Sequence, residues 1–258
     1  MTEFTVPLNA LHLFFLVFLR VVSLVGFLPV LDTRGVPPLF KAGLALGLSA
    51  AMFWSAPPPG SPPADLISLG LAAVGEVLLG ALMGLSIRLL FTGVQMAGQM
   101  VGFQMGFAVA NIFDPVTSAQ ASLPAQAYNL FATLIFLTVN GHHMLLRALA
   151  ETFQRLPPGR ALWSEAGARP LVALAGDMFG MSIAVSAPVL TALLLTTAAL
   201  GIVARTVPQM NVYFVAMPVS IAVGLLFMAL SFPFVWLVLG DRFGEVGETL
   251  LTVIQPFR

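Results

Sequence analysis

Apolar runs long enough to cross a membrane recur along this chain. They cover residues 8–31, 66–91, 92–113, 126–149, 171–203 and 212–239, with a shorter run at 42–56. A run of about 18 or more apolar residues with few charges predicts a membrane-spanning helix. We therefore predict an all-α integral membrane protein with about six long hydrophobic helices, forming a single domain over residues 1–258.

Composition supports this class and excludes several others. Of 258 residues, 59% are hydrophobic and 9% are charged, whereas a soluble domain carries about 25% charged residues. A net charge of zero gives no case for nucleic-acid binding, and the absence of cysteine excludes disulfides and thiolate metal sites. Glu3 and the lack of a basic amino-terminal region argue against a cleaved signal peptide.

Two segments are expected to lie between the apolar runs. Residues 57–63 contain five prolines and predict a stiff linker, because proline cannot continue a helix. Residues 150–170 carry most of a charged, arginine-bearing region and predict an extramembrane connection. The basic residues divide between the two possible sides of the membrane, so the positive-inside rule leaves the orientation open.

The stretch 92–115 differs from a plain lipid-facing helix. Glycines recur every four residues at 98, 102 and 106, beside Gln95 and Gln99, and the stretch ends in a turn-like Asp114-Pro115. Small residues and amides hold membrane helices together, so we predict helix packing by Gln95, Gly98, Gln99 and Gly102. Non-helical backbone at membrane depth must be buried in protein or face a water-filled cavity. The break after Gly106 therefore suggests an assembly with a closed passage.

Three charged residues lie within the apolar runs and away from their carboxyl-terminal ends, namely Arg20, Glu76 and Asp177. An arginine at the centre of a membrane helix costs about 2.5–3.5 kcal/mol on insertion scales, so Arg20 should face protein or water. The alternative is that its side chain reaches the membrane surface. We hypothesise that Glu76 pairs with Arg20 from another helix.

No catalytic constellation is evident, so we predict that the chain is not an enzyme and binds no cofactor or metal. His142 and His143 are adjacent, so on a helix their side chains point about 100° apart, whereas helical zinc sites use a spacing of four residues. The sequence contains no phosphate-binding loop ending in Gly-Lys-Ser/Thr.

Three stretches of the chain resemble the FliR family of flagellar export-gate proteins. They read GQMVGFQMGFAVANIFDP at 98–115, NLFATLIFLTVNGHHMLLRAL at 129–149 and ARTVPQMNVYFVAMPVSIAVGLL at 204–226. Arg20 within the first helix, followed by Pro29, fits the same family. The resemblance covers nearly the whole chain and favours the flagellar branch over the related virulence secretion systems.

The resemblance implies a place in a multi-subunit helical assembly at the bacterial inner membrane. FliR-like proteins join FliP and FliQ, associate with FlhB and FlhA, and form the channel for unfolded flagellar subunits at the basal body. Their segment matching residues 106–123 forms a plug-like loop in that channel. By carry-over, the plug or gate residues are Gly106, Phe107, Asn111, Ile112, Phe113, Asp114 and Pro115. The resemblance also implies a loop at the cytoplasmic mouth, containing Arg205, Pro208, Gln209 and Asn211.

Two other functions fit a chain of this composition less well. A secondary transporter of a small solute or ion predicts repeats with broken helices at matching positions, and the linker at 57–63 has no counterpart in the second half. A membrane enzyme requires clustered titratable residues, but Glu76, Asp177 and the histidines are dispersed.

Overall fold

The computed structural model describes residues 7–31, 36–57, 65–107, 122–160, 168–206 and 212–257. Every regular element within these ranges is helical, which confirms the predicted all-α fold. The α-helices are α1 (Leu8–Phe27), α2 (Pro38–Phe53), α3 (Leu66–Gln104), α4 (Leu123–Thr138), α5 (Gly141–Arg155), α6 (Ala168–Thr206), α7 (Val212–Gly244) and α8 (Val246–Ile254).

The helices form a multi-pass membrane protein by length and composition. Four of them, α1, α3, α6 and α7, are long and apolar enough to cross a bilayer. Helices α4 and α5 together pass the same test as one bent pair, and α2 is a shorter apolar helix. The structure thus has four or five long apolar helices, close to the six expected, because two of the predicted runs form the single helix α3.

Helix α3 joins two of the apolar runs into one element. The sequence separates residues 66–91 from 92–113, but no proline or other breaker interrupts the chain between Leu66 and Gln104. The resulting 39 residues span about 58 Å, at about 1.5 Å per residue. The hydrocarbon core measures about 30 Å, and tilts of up to about 40° do not absorb the difference. Part of α3 therefore extends beyond the lipid core.

The run at 126–149 is divided in two by Asn140. Helices α4 and α5 meet there at an angle of 63°, and Asn140 has a left-handed backbone with φ of 57°. Asparagine is one of the few residues that adopt this conformation readily. Its carbonyl then accepts hydrogen bonds from the amides of His143 and Met144, at 2.9 and 3.1 Å, and so begins α5.

Contacts divide the chain into two compact units. The first consists of Met1–Leu89, Asn140–Ala175 and Gly244–Arg258, and the second of Leu90–Val139 and Gly176–Phe243. In the first unit α1 packs against α2, and α5 packs against α8. Helix α8 buries one stripe, at i, i+4, i+7 and i+8, which gives the carboxyl-terminal segment an amphipathic face made of Val246, Leu250, Val253 and Ile254.

The second unit has an aromatic core. The rings of Phe91, Phe136 and Phe243 contact one another, with centroids 5.2 to 5.6 Å apart. A second ring contact joins Phe131 to Phe232 at 4.4 Å. Aromatic pairs at these separations stabilise a core beyond the area they bury, and here they join α3 and α4 to α7.

Candidate functional site

The ion pair hypothesised between Arg20 and Glu76 is present in the first unit. Nε of Arg20 donates to Oε2 of Glu76 at 2.5 Å, and Nη2 donates to Oε1 at 3.1 Å. Both side chains are 0% exposed. Two parallel bonds between guanidinium and carboxylate give the strongest form of such a pair. Arg20 therefore faces protein, as predicted, rather than the membrane surface.

Helix α5 and the residue that follows it complete the surroundings of Arg20. Nη1 donates to the hydroxyl of Thr152 at 3.2 Å, and Nη2 donates to the carbonyl oxygen of Leu156 at 3.0 Å. The ring centroid of Phe153 lies 4.4 Å from the guanidinium carbon, within cation–π distance. Arg20 thereby joins α1 to α3 and α5.

Glu76 also holds the turn that follows α5. The amide of Gly159 donates to Oε1 of Glu76 at 2.8 Å, and Gly159 has a φ of 82°, which favours glycine. The amide of Arg160 donates to the carbonyl of Pro157 and closes the turn. A buried ion pair stabilises a fold only when its remaining hydrogen-bonding groups also have partners, and this cluster supplies them.

Two glycines allow α1 and α3 to approach closely beside the ion pair. A methyl group on Gly80 would overlap the Ser23 hydroxyl and the Arg20 carbonyl. A methyl group on Gly84 would lie 2.5 Å from Cβ of Phe27 and 2.9 Å from the Leu24 carbonyl oxygen. The four-residue spacing of these two glycines therefore lets the backbones of α1 and α3 pack against each other.

The end of α3 is defined by Gly106. The amide of Gly106 donates to the Phe103 carbonyl at 3.0 Å, and the amide of Phe107 donates to the Gly102 carbonyl at 3.1 Å. With φ of 93° at Gly106, these bonds form a Schellman motif, in which a left-handed glycine terminates a helix. The chain leaves α3 at the point where the predicted loop 106–123 begins.

The start of α4 packs on the glycines of α3. A methyl group on Gly98 would overlap Cα of Ala125, and it would lie 2.9 Å from the Pro124 carbonyl oxygen. A methyl group on Gly102 would lie 2.5 Å from the Ser122 hydroxyl oxygen. Residues 108–121 therefore connect the end of α3 to the start of α4, and these two helix ends contact each other. We call this contact the loop base, formed by Gly98, Gly102, Ser122, Pro124 and Ala125.

Helix α7 supports the end of α3 within the same unit. Met105 is fully buried, and its side chain packs directly on Gly224 of α7. A methyl group on Gly224 would lie 2.7 Å from both Cγ and Cε of Met105. Met217 lies close to Gly106, because a methyl group on Gly106 would lie 3.8 Å from Cγ of Met217. Methionine fills such irregular gaps readily, so the last residues of α3 are seated on α7.

The other predicted residues do not join these two clusters. Gln95 is half-buried and Gln99 is exposed, so of the predicted packing residues only the glycines lie in the loop base. Asp177 is exposed on α6, and Arg205 is exposed in the last turn of that helix. Several predicted residues lie outside the described ranges, namely Asn111, Ile112, Phe113, Asp114, Pro115, Pro208, Gln209 and Asn211.

Sequence reasoning missed the partners that α5 contributes. Thr152, Phe153 and Leu156 surround Arg20 from 132 to 136 residues away. Thr152 and Phe153 lie in the last turn of α5, and Leu156 follows that helix and contributes its carbonyl oxygen, so no side-chain pattern in the sequence indicated these contacts. No group of three or more potential metal ligands occurs within the ranges that the structure describes.

Comparison with known proteins places these features in a family. A family model described as "Bacterial export proteins, family 1" matches residues 11–246. A flagellar biosynthetic protein FliR of Bacillus subtilis is 35% identical over 244 residues, covering 93% of this chain and 94% of the relative. FliR of Escherichia coli is 31% identical, covering 96% and 95%.

A virulence-related protein shares a smaller part of the chain. The secretion system apparatus protein SsaT of Salmonella typhimurium is 32% identical over 183 residues, or 69% of this chain and 70% of SsaT. The resemblance inferred from residues 98–115, 129–149 and 204–226 is confirmed by matches that extend well beyond those stretches. This chain belongs to family 1 of the bacterial export proteins, together with the FliR proteins of flagellar biosynthesis.

Proposed function

We propose that this chain is a subunit of a flagellar type III protein export gate in the bacterial inner membrane. With FliP and FliQ it forms the channel through which unfolded flagellar proteins cross the membrane at the basal body, and FlhB and FlhA associate with that channel. The observation that carries the proposal is similarity to flagellar FliR proteins over more than 90% of both chains. The long apolar helices supply the membrane-embedded scaffold that such a role requires.

The role we propose is structural rather than catalytic. Arg20 and Glu76 are engaged with each other and with α5, which suits a fixed connection between helices better than proton transfer. Asp177 lies in another unit of the chain. Energy for export is therefore assigned to partner proteins and to the proton motive force.

Residues 106–115 form the plug in this proposal. Phe107, Ile112 and Phe113 exclude water from the closed passage, because an apolar constriction blocks ions by dewetting. The loop base supports this role, since it holds both ends of the segment 108–121 at one place in the second unit. The segment 205–211 is assigned to the cytoplasmic mouth by family resemblance.

Co-purification tests membership of the gate. A tagged copy of this chain, expressed with FliP and FliQ from the same organism, should retain both proteins through detergent extraction and gel filtration. A strain lacking the gene should lose export of flagellar subunits and regain it from the untagged chain. A chain that purifies alone and is dispensable for export would contradict the proposed function.

Ion conductance tests the plug. Deleting residues 110–116 should raise ion leakage through the assembled complex in planar bilayers or in growing cells. Deleting residues 57–63, a stretch of equal length in the proline-rich linker, provides the control and should leave leakage unchanged. If the complex assembles and the 110–116 deletion conducts no more than the intact chain, the plug lies elsewhere.

A further inference from the structure

Six polar side chains form a strip along one side of the α3–α4 pair in the second unit. Four of them are carboxamides and none is charged. Four of the six are exposed and the other two are half-buried. We call this set the polar strip, and its members are Thr92, Gln95 and Gln99 of α3 and Gln126, Asn129 and Thr133 of α4.

The two halves of the polar strip lie on the same side of the helix pair. Gly98 of α3 contacts Ala125 of α4. Gly102, one turn later, contacts Ser122, which precedes Ala125, so the helices are antiparallel. Relative to Gly98 the α3 members are rotated by about 60° to 120°, and relative to Ala125 the α4 members are rotated in the same sense by about 40° to 100°. In an antiparallel pair, rotations of the same sense point to the same side.

The polar strip is arranged in three levels along the helix axes. A rise of about 1.5 Å per residue places the two members of each level within about 3 Å of the same height. The strip is about 14 Å long, which matches about four residues of an extended chain. The levels are Gln99 with Gln126, Gln95 with Asn129, and Thr92 with Thr133.

Helices α6 and α7 contact the other side of the pair. A methyl group on Gly93 of α3 would lie 2.7 Å from Cε of Met181 in α6, and Phe131 of α4 contacts Phe232 of α7. Gly93 and Phe131 are rotated from the α3–α4 contact by about 120° to 140° in the opposite sense to the strip. Within the part of the chain that the structure describes, the polar strip therefore faces away from α6 and α7.

The chemistry of the polar strip matches an extended polypeptide. Hydrocarbon offers no hydrogen-bond partner to a carboxamide, and a membrane helix has its backbone groups bonded internally. An extended chain instead presents free backbone N–H and C=O groups, and Gln and Asn side chains both donate and accept. Phe103 and Leu130, which are 72% and 64% exposed, border the strip and provide apolar surface for the side chains of such a polypeptide.

We propose that the polar strip binds the backbone of the unfolded protein in transit, through hydrogen bonds between its carboxamides and the peptide groups. The binding is independent of substrate sequence, because it uses groups of the backbone. Gln99 and Gln126 border the loop base, so the polypeptide passes beside the ends of the proposed plug segment. This site rests on the proposed function, since export is what brings an extended chain to the strip.

Disulfide crosslinking to a stalled substrate tests the site. The chain has no natural cysteine, so Gln95→Cys, Gln99→Cys and Asn129→Cys are each assembled with cysteine-free partner subunits. An export substrate with single cysteines at successive positions is fused to a carboxyl-terminal domain that does not unfold, and it stalls in the passage. Leu134→Cys is the control, because Leu134 is 53% exposed but lies on the side of α4 away from α3.

Each variant in the strip should form adducts with several successive substrate positions, several-fold more than Leu134→Cys. The triple variant Gln95→Leu/Gln99→Leu/Asn129→Leu removes the hydrogen-bonding groups and should slow export of two unrelated substrates several-fold and by similar factors. The matched variant Gln95→Asn/Gln99→Asn/Asn129→Gln keeps the carboxamides and should retain most of the export rate. Co-purification with the partner subunits identifies any variant that fails to assemble, and the crosslinks then decide the question.

Three results would overturn the polar strip as a binding site. Adducts with a partner subunit in place of the substrate would assign the strip to a contact between subunits. Equal adducts at Leu134→Cys would show that the substrate has no preference for the strip. Unchanged export by an assembled leucine variant would exclude the hydrogen bonds. In all three cases the complex still retains the stalled substrate and the proposed function stands, whereas a complex that retains no substrate would overturn both.

Discussion

At the scale of single residues, glycines at the same spacing have quite different surroundings. Methyl groups on Gly98 or Gly80 would overlap neighbouring backbone, whereas those on Gly176 or Gly43 would meet nothing within 4 Å. The four-residue spacing is visible in the sequence, but the helix that approaches it is not. The sequence thus predicts that Gly98 and Gly102 pack against another helix. It does not predict that Ser122 and Ala125 are the residues they contact.

Gly98→Ala should weaken the loop base strongly. The added methyl group meets the backbone of Pro124 and Ala125, which cannot be relieved by a side-chain rotation, so we expect a loss of about 1–3 kcal/mol. Thermal unfolding of the purified chain in detergent measures it. Gly176→Ala is the matched control, because its methyl group has open space, and it should melt at or slightly above the temperature of the parent chain. Equal melting temperatures for both variants would contradict the described packing.

Removing one member of the buried ion pair should cost more than removing both. Arg20→Leu leaves the carboxylate of Glu76 buried without its counter-charge, a change that costs about 3–5 kcal/mol. The double variant Arg20→Leu/Glu76→Leu should recover part of that loss, since it removes the unpaired charge. Guanidinium or thermal unfolding of the parent chain, Arg20→Leu, Glu76→Leu and the double variant forms the cycle. A double variant whose loss of stability equals the sum of the two single losses would show that the pair is not coupled.

At the scale of elements, the sequence predicts which segments form apolar helices, but not where several of those helices begin and end. The sequence identifies the apolar character of residues 66–113, but their number suggests two membrane crossings, whereas α3 continues without a break through 91–92. Conversely, the bend at Asn140 lies inside an apolar run and depends on one left-handed residue. Gly106 is a clearer signal, because glycine commonly terminates helices.

Asp65 should make the start of α3 sensitive to acid. The amide of Ser68 donates to Oδ1 of Asp65 at 3.1 Å, which caps the helix, and hydrogen bonding from the Ser68 hydroxyl and amide lowers the pKa of Asp65 below 3.8. Because the folded pKa is depressed, the cap is fully present above pH 3.8 and is lost as the pH falls through the lower, folded value.

Hydrogen exchange of the backbone amides at the start of α3, followed across that pH range, measures whether the cap is formed. Amides in the first turn of α3 should lose protection as the pH falls below 3.8, after correction for the intrinsic exchange rate. Asp65→Asn retains an acceptor but does not titrate, so its first turn should keep the same protection at every pH. Protection that changes identically in both chains would assign the acid sensitivity to another group.

At the scale of the whole molecule, helix length and bilayer thickness do not agree. Helices α3 and α6 each contain 39 residues, about 58 Å, and a bilayer core covers about 30 Å. Composition alone predicts a membrane protein with several spanning helices. The run at 171–203 is already too long in the sequence for one crossing. The excess length of α3 is not predicted, because the sequence presents that helix as two separate runs.

Cysteine scanning should reveal the excess length. The chain has no natural cysteine, so single cysteines along α3 and α6 can be labelled without background. In vesicles, the central band of about 20 residues should be inaccessible to a charged maleimide, and exposed positions beyond it should react in the isolated chain. The same outer positions should become protected when partner subunits are present. Protection along the full length in the isolated chain would contradict this arrangement.

The interleaved order of the first unit also has a consequence for the timing of synthesis. Arg20 and Glu76 emerge from the ribosome early, whereas Thr152, Leu156 and Gly159 follow about half a chain later. Helix α8, which covers α5, is translated later still. A nascent chain therefore carries a paired but incompletely bonded charge cluster from the synthesis of Glu76 until that of Gly159, 83 residues later. Premature termination before Val246 would leave uncovered the face of α5 on which α8 packs.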